Sequence, residues 1–127
     1  MSEITITEMI ENVLRNIGSI DGIQASALVS TNGFMVASEI YTTNVDAETI
    51  AGMVAMLMRS SVHTSKELDK GEIEYILLNS TKGKIILKKA TSNAILTVLT
   101  DTNTDVNFAL KEMKKARAEI MNIFAKI

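Results

Sequence analysis

The sequence predicts an α+β fold built on one antiparallel sheet of five strands. Apolar residues recur at helical spacing in three segments, and alternate or run continuously at strand length in five others. Those segments follow the order helix, two strands, helix, three strands, helix. Within each strand group the connections are short turn sequences, and a tight turn makes neighbouring strands antiparallel.

The first helix is delimited by its own chemistry. Thr5 and Glu8 have the spacing of a capping box. Ile6, Met9, Ile10, Val13, Leu14 and Ile17 then fall on one stripe, and Gly18 is a stop signal that tolerates the left-handed conformation. After Asp21-Gly22 the period changes to two: Ile23, Ala25, Ala27 and Val29 alternate with Gln24, Ser26, Leu28 and Ser30. Asn32-Gly33 is a strong hairpin signal, because both residues accept positive φ. The return strand is predicted over 34–38, followed by a polar connection over 39–45.

The second helix, predicted over 46–68, opens on Asp46 as N-cap with Glu48 in its first turn. Its core, Ile50-Ala51-Gly52-Met53-Val54-Ala55-Met56-Leu57-Met58, is apolar around every side. A helix of that kind needs cover on two sides. The chain's own sheet supplies one, so the other is expected to meet a second copy or another protein. Met is adaptable core filler, and Ala51, Gly52 and Ala55 permit close packing on the sheet, but a core role accounts for only one side of the helix.

Gly71 breaks the second helix, and a third strand is predicted over 73–78. Thr81-Lys82-Gly83 is a tight turn leading to strands over 84–90 and 94–100, joined through Thr91-Ser92-Asn93. The runs Ile85-Ile86-Leu87 and Ile95-Leu96 read as central strands covered on both faces. In the last helix, capped by Asp101 or Thr104, one face carries Val106, Ala109, Leu110, Met113, Ile120, Ile123, Phe124 and Ile127. The other carries Lys111, Lys114, Lys115, Arg117 and Lys126.

Composition excludes several classes of function. A chain of 127 residues fits one domain spanning 1–127, able to bury about two-thirds of its unfolded surface. It has no cysteine, which removes disulfides and thiol chemistry and suits a reducing, cytoplasmic location. No apolar run is long enough for membrane insertion. Behind the net charge of -2 lies an asymmetry: residues 1–81 hold four Lys/Arg against eleven Asp/Glu, and residues 82–127 hold nine against four.

Catalysis has no residue set to stand on. His63 is the only histidine, so neither a metal pair nor a relay is available, and no cofactor or metal is expected. The six glycines form no phosphate loop. Glu72 and Glu74 lie on one side of a strand, where like charges guard an edge. Lys82, Lys84, Lys88 and Lys89 cluster on one hairpin, but nucleic acid is not the expected partner. Phe34, Tyr41, Tyr75, Phe108 and Phe124 are the only aromatics and make no stacking platform.

Taken together, residues 5–125 resemble the Roadblock family of dynein-light-chain and GTPase-regulator domains, which are related to longin folds. The resemblance rests on Asp21-Gly22-Ile23-Gln24-Ala25-Ser26-Ala27-Leu28-Val29-Ser30-Thr31-Asn32-Gly33, on the helix opening Asp46-Ala47-Glu48-Thr49-Ile50-Ala51, and on Gly71-Glu72-Ile73-Glu74. Ala25 stands where many relatives have Gly. These are structural motifs, with no catalytic signature among them.

The resemblance implies the strand order 2-1-5-4-3, with helices one and three on one face of the sheet and helix two on the other. It also implies a homodimer made by pairing third strands across a twofold axis, with the second helices side by side. The expected interface is Ile50, Met53, Val54, Leu57, Met58 and Ser61 of the second helix with Ile73, Glu74, Tyr75, Ile76 and Leu77 of the third strand. Met56, Arg59 and His63 are left for another partner. Family members resemble scaffolds for small Ras-like GTPases, and some prokaryotic ones act as GTPase-activating partners. The expected role is thus a non-enzymatic, prokaryotic GTPase regulator. The alternatives are a structural subunit of a larger motor, motility or signalling assembly, and a small-ligand sensor.

Overall fold

The computed structural model describes residues 4–127. Its elements are α1 (Ile6–Gly18), β1 (Ile23–Ser30), β2 (Met35–Ile40), α2 (Ala47–Glu67), β3 (Ile76–Ser80), β4 (Gly83–Thr91), β5 (Ala94–Thr100) and α3 (Val106–Ala125). The strands form one sheet in the order β2-β1-β5-β4-β3, every neighbouring pair antiparallel. The order is the one the family resemblance implies.

Two apolar layers sandwich the sheet, because strand side chains alternate between its faces. On one face Ile10, Leu14 and Ile17 of α1 and Met113 and Ile120 of α3 pack with Leu28, Ile86, Leu96 and Val98. On the other, Ile50, Val54 and Met58 of α2 pack with Ala27, Val29, Leu87 and Ile95. Helices one and three therefore share a face and helix two takes the other. The buried hydroxyls are paired: Ser26 Oγ donates to the Leu14 carbonyl (3.1 Å) and Thr97 Oγ1 to that of Ile86 (3.2 Å).

Several boundaries differ from the sequence expectation. The third strand covers Ile76–Ser80 instead of 73–78. Its ladder is set by the hairpin, with Ser80 opposite Gly83 and Ile76 opposite Leu87. Alternation of side chains specifies faces, but the turn specifies which backbones pair. The second strand likewise runs Met35–Ile40, displaced past the Asn32-Gly33 turn, and leaves Phe34 exposed. Asp105, neither Asp101 nor Thr104, caps α3 by accepting from the amides of Asn107 (3.0 Å) and Phe108 (3.3 Å). Thr104 donates instead to Asp101 Oδ1 at 2.8 Å. Gly18 stays helical as the last residue of α1, and its missing side chain leaves room for the ring of Tyr41.

Two carboxylates bind the chain to its own turns. Thr49, through its side chain first and its amide second, holds the Asp46 carboxyl below its ordinary range. Bonding by the Thr104 side chain and then the Asn103 amide does the same for Asp101. A carboxyl lowered by folding stabilises the fold above its unfolded pKa, and that contribution is lost as pH falls through the lower folded value. The urea midpoint is therefore expected to drop as pH falls below the ordinary value of 3.8. In an Asp46→Asn, Asp101→Asn double variant that drop should be shallower; an unchanged slope would remove these two groups as its source.

Candidate interaction surface

The Asp46 side chain accepts from the Thr49 amide at 2.7 Å and starts α2, whose two sides then have different fates. Ile50, Ala51, Val54, Ala55 and Met58 are sealed against the sheet. Of the residues expected at the interface, Ile50, Val54 and Met58 are thus buried within the protomer, at most 5% exposed. The sequence presents two apolar sides, and only packing decides which of them turns inward. Met53 (58% exposed) and Met56 (52%) remain on the outer side with Gly52, Arg59 and His63. Leu57 and Ser61 are half-buried at the margin.

The orientation of α2 leaves part of the sheet thinly covered. The helix packs chiefly across β1, β2 and β5. Gly33 of the β1–β2 turn lies against Ala55 and Gly52 on one flank of the helix. Met53, Leu57 and Ser61, spaced four apart, form the opposite flank. Leu57 borders a cluster margin made of Ile76, Ile85 and Leu99, all only partly buried. Leu78, opposite Ile85 and hence on the same face, is 38% exposed. Beyond it β3 ends the sheet, with no strand among the described residues on its outer side. Leu77 points to the other face and is also exposed.

The rest of the expected strand contribution is placed differently. Ile73, Glu74 and Tyr75 precede the β3 ladder in a bent segment. The Lys88 ammonium donates to the Glu74 carbonyl (3.2 Å), and Ile73 packs against the α2 cluster. Only Ile76 and Leu77 of the five named strand residues are in β3. Leu78, absent from the expected interface, is brought to it, and its alternation with Ile76 was the signal that could have found it. Arg59 and His63 make no ion pair among the described residues. Also among the described residues, no group of three or more His, Cys, Asp or Glu converges as a metal site would require. No described helix is long and apolar enough to cross a membrane.

This geometry is that of a contact surface with an apolar centre and an open sheet edge. Residues 9–100 match the Roadblock/LC7 domain family model. Among curated proteins, the uncharacterized protein MJ0714 of Methanocaldococcus jannaschii is 29% identical over 119 residues, covering 94% of this chain and 99% of that one. Among solved structures, Myxococcus xanthus MglB has a TM-score of 0.87 at 23% identity, with 99% of this chain and 94% of that one covered. The gliding protein MglB of Thermus thermophilus has a TM-score of 0.85 at 16% identity, over 100% and 96% of the two chains. At these identities the structural matches establish the fold.

Proposed function

Because the chain belongs to the Roadblock/LC7 domain family, we propose that it is a homodimeric scaffold that binds a small Ras-like GTPase and regulates its nucleotide cycle. The observation that carries the reading is the half-covered apolar surface of Met53, Leu57, Ile76, Leu78 and Ile85 beside the unpaired edge of β3. Left open, such an edge is an aggregation hazard. A second copy related by a twofold axis removes both exposures at once. Its β3 extends the sheet across the edge, and its α2 lies over the row of side chains that the first α2 leaves bare. Interface membership is accordingly revised to Met53, Leu57 and Ser61 with Ile76, Leu77 and Leu78.

In that dimer the two α2 helices form one broad platform whose outer residues are Met56, Arg59 and His63. We assign the GTPase to this platform, and the protein itself to the cytoplasm. Stimulation of hydrolysis then comes from repositioning the GTPase's own switch segments against the platform. An arginine finger must reach the phosphate and is worth about 10³ to 10⁵ in rate. Arg59 lies within a helix, not on an extended loop.

The test has two stages. Light scattering at micromolar concentration should return twice the 13.9 kDa chain mass, and a monomer would end the dimer reading. Single-turnover GTP hydrolysis by a GTPase captured from the source cell should then be accelerated by the protein. With Arg59→Ala the acceleration is expected to persist; a fall of about a thousandfold with binding intact would establish a finger and overturn the repositioning mechanism. Binding with no acceleration would favour the structural-subunit role.

A further inference from the structure

The least explained feature of the molecule is a groove of about 1040 Å³ at the end of the sheet, between α3, β4 and residues 71–75. We propose that it is a docking site for an extended, acidic segment of a partner protein, distinct from the α2 platform.

Charge is the first argument. Lys88 of β4 and Lys111, Lys114 and Arg117 of α3 line the groove from the α3 face of the sheet, and Lys89 of β4, whose register partner Ile95 belongs to the opposite apolar layer, lines it with Lys66 from the α2 face. Among the described residues none of these six forms an ion pair with a carboxylate. The carboxylates of the groove, Glu72 and Glu74, are carried by the bent segment that precedes β3. Lys111, Lys114 and Arg117 repeat every three residues and form a single stripe along the helix. That stripe extends over about 9 Å at the α-helical rise, more than one small inorganic anion can span.

The backbone is the second argument. β4 continues to Thr91, yet its ladder with β3 ends at the Ile76–Leu87 pair, so among the described residues its outer edge over 88–91 has no strand beside it. Arg117 Nε spends a donor on a carbonyl of that edge, Lys89 O (2.9 Å), and Lys88 Nζ spends one on Glu74 O of the segment before β3 (3.2 Å). Carboxylates are better acceptors for these groups than neutral carbonyls. An incoming acidic strand would take over the cations and present its own amides and carbonyls to the freed edge, the mode of strand addition to an open sheet. Ile73 and Leu110, both half-buried, supply apolar contacts for alternate side chains. A nucleic acid would need stacking surfaces, and among the described residues Tyr75 is the only aromatic lining the groove.

The probe is a fluorescein-labelled decapeptide of alternating Glu and Val, titrated with the full chain at low salt and followed by fluorescence anisotropy. Saturable micromolar binding is expected, with amide shifts in NMR spectra concentrated over 88–91, and none for a Lys-Val peptide. Lys111→Glu with Lys114→Glu should weaken binding at least about tenfold, whereas Lys126→Glu, outside the groove, should change it less than about twofold. Light scattering on each variant separates loss of this site from loss of the dimer. If the double reversal disturbs mass or circular dichroism, the Lys111→Gln, Lys114→Gln pair is read in its place. No binding at millimolar protein, equal weakening by Lys126→Glu, or tighter binding of an oligothymidylate or of phosphatidylserine vesicles than of the peptide would overturn the proposal.

Discussion

Met58→Asp is expected to abolish folding of the chain. Met58 is 1% exposed and sits where α2 meets Ala27, Val29, Leu87 and Ile95. Truncating a buried Met to Ala costs about 2–5 kcal/mol through lost transfer energy and the cavity left behind. An aspartate adds a carboxylate in an apolar layer where no cation faces it, so the group must either stay protonated or open the packing. The total approaches the stability of about 5–15 kcal/mol that a domain of ordinary size has to lose. Urea unfolding followed by circular dichroism checks this, with Met58→Leu as a control expected to cost less than about 1.5 kcal/mol. A cooperatively folded Met58→Asp protein would mean that α2 is not seated on the sheet as described.

Met53→Asp, five residues earlier on the same helix, is expected to leave the protomer folded and separate the copies. At 58% exposed its side chain adds little to the protomer. In the proposed dimer it lies against the second α2, and twofold symmetry introduces two charges per dimer. At about 2 kcal/mol for each poorly solvated carboxylate, the dissociation constant should rise roughly a thousandfold. A dilution series in sedimentation or light scattering reads this directly, with Glu11→Ala on α1 as the unaffected control. A Met53→Asp protein that remains dimeric at nanomolar concentration would exclude the α2 flank from the interface. The opposite outcomes expected at Met53 and Met58 test the assignment of the two sides of α2, since both are methionines on one helix.

The contrast between those residues also separates what the sequence determined from what the tertiary structure decided. Local signals carried the element order, the Thr5 and Asp46 caps and the three hairpin turns, because each is written in residues within a few positions of one another. The family motifs carried the strand order. The ends of β2 and β3 were not legible, since apolar alternation assigns faces but leaves pairing to the turn and the neighbouring strand. The α3 cap was expected at Asp101 or Thr104, but those two bond each other and Asp105, not among the expected caps, takes the role.

The site followed the same division. That α2 has more apolar surface than one sheet can cover is a property of its composition, readable without coordinates. Which residues are surplus depends on the helix's rotation about its axis, and that is fixed by contacts with Gly33, Val29 and Leu87 from distant parts of the chain. The lysines of β4 and α3 are likewise plain in the sequence as two solvated charge clusters. Only the tertiary structure, which brings β4 beneath α3 and begins the β3 ladder at Ile76, gathers Lys88, Lys89, Lys111, Lys114 and Arg117 around one groove.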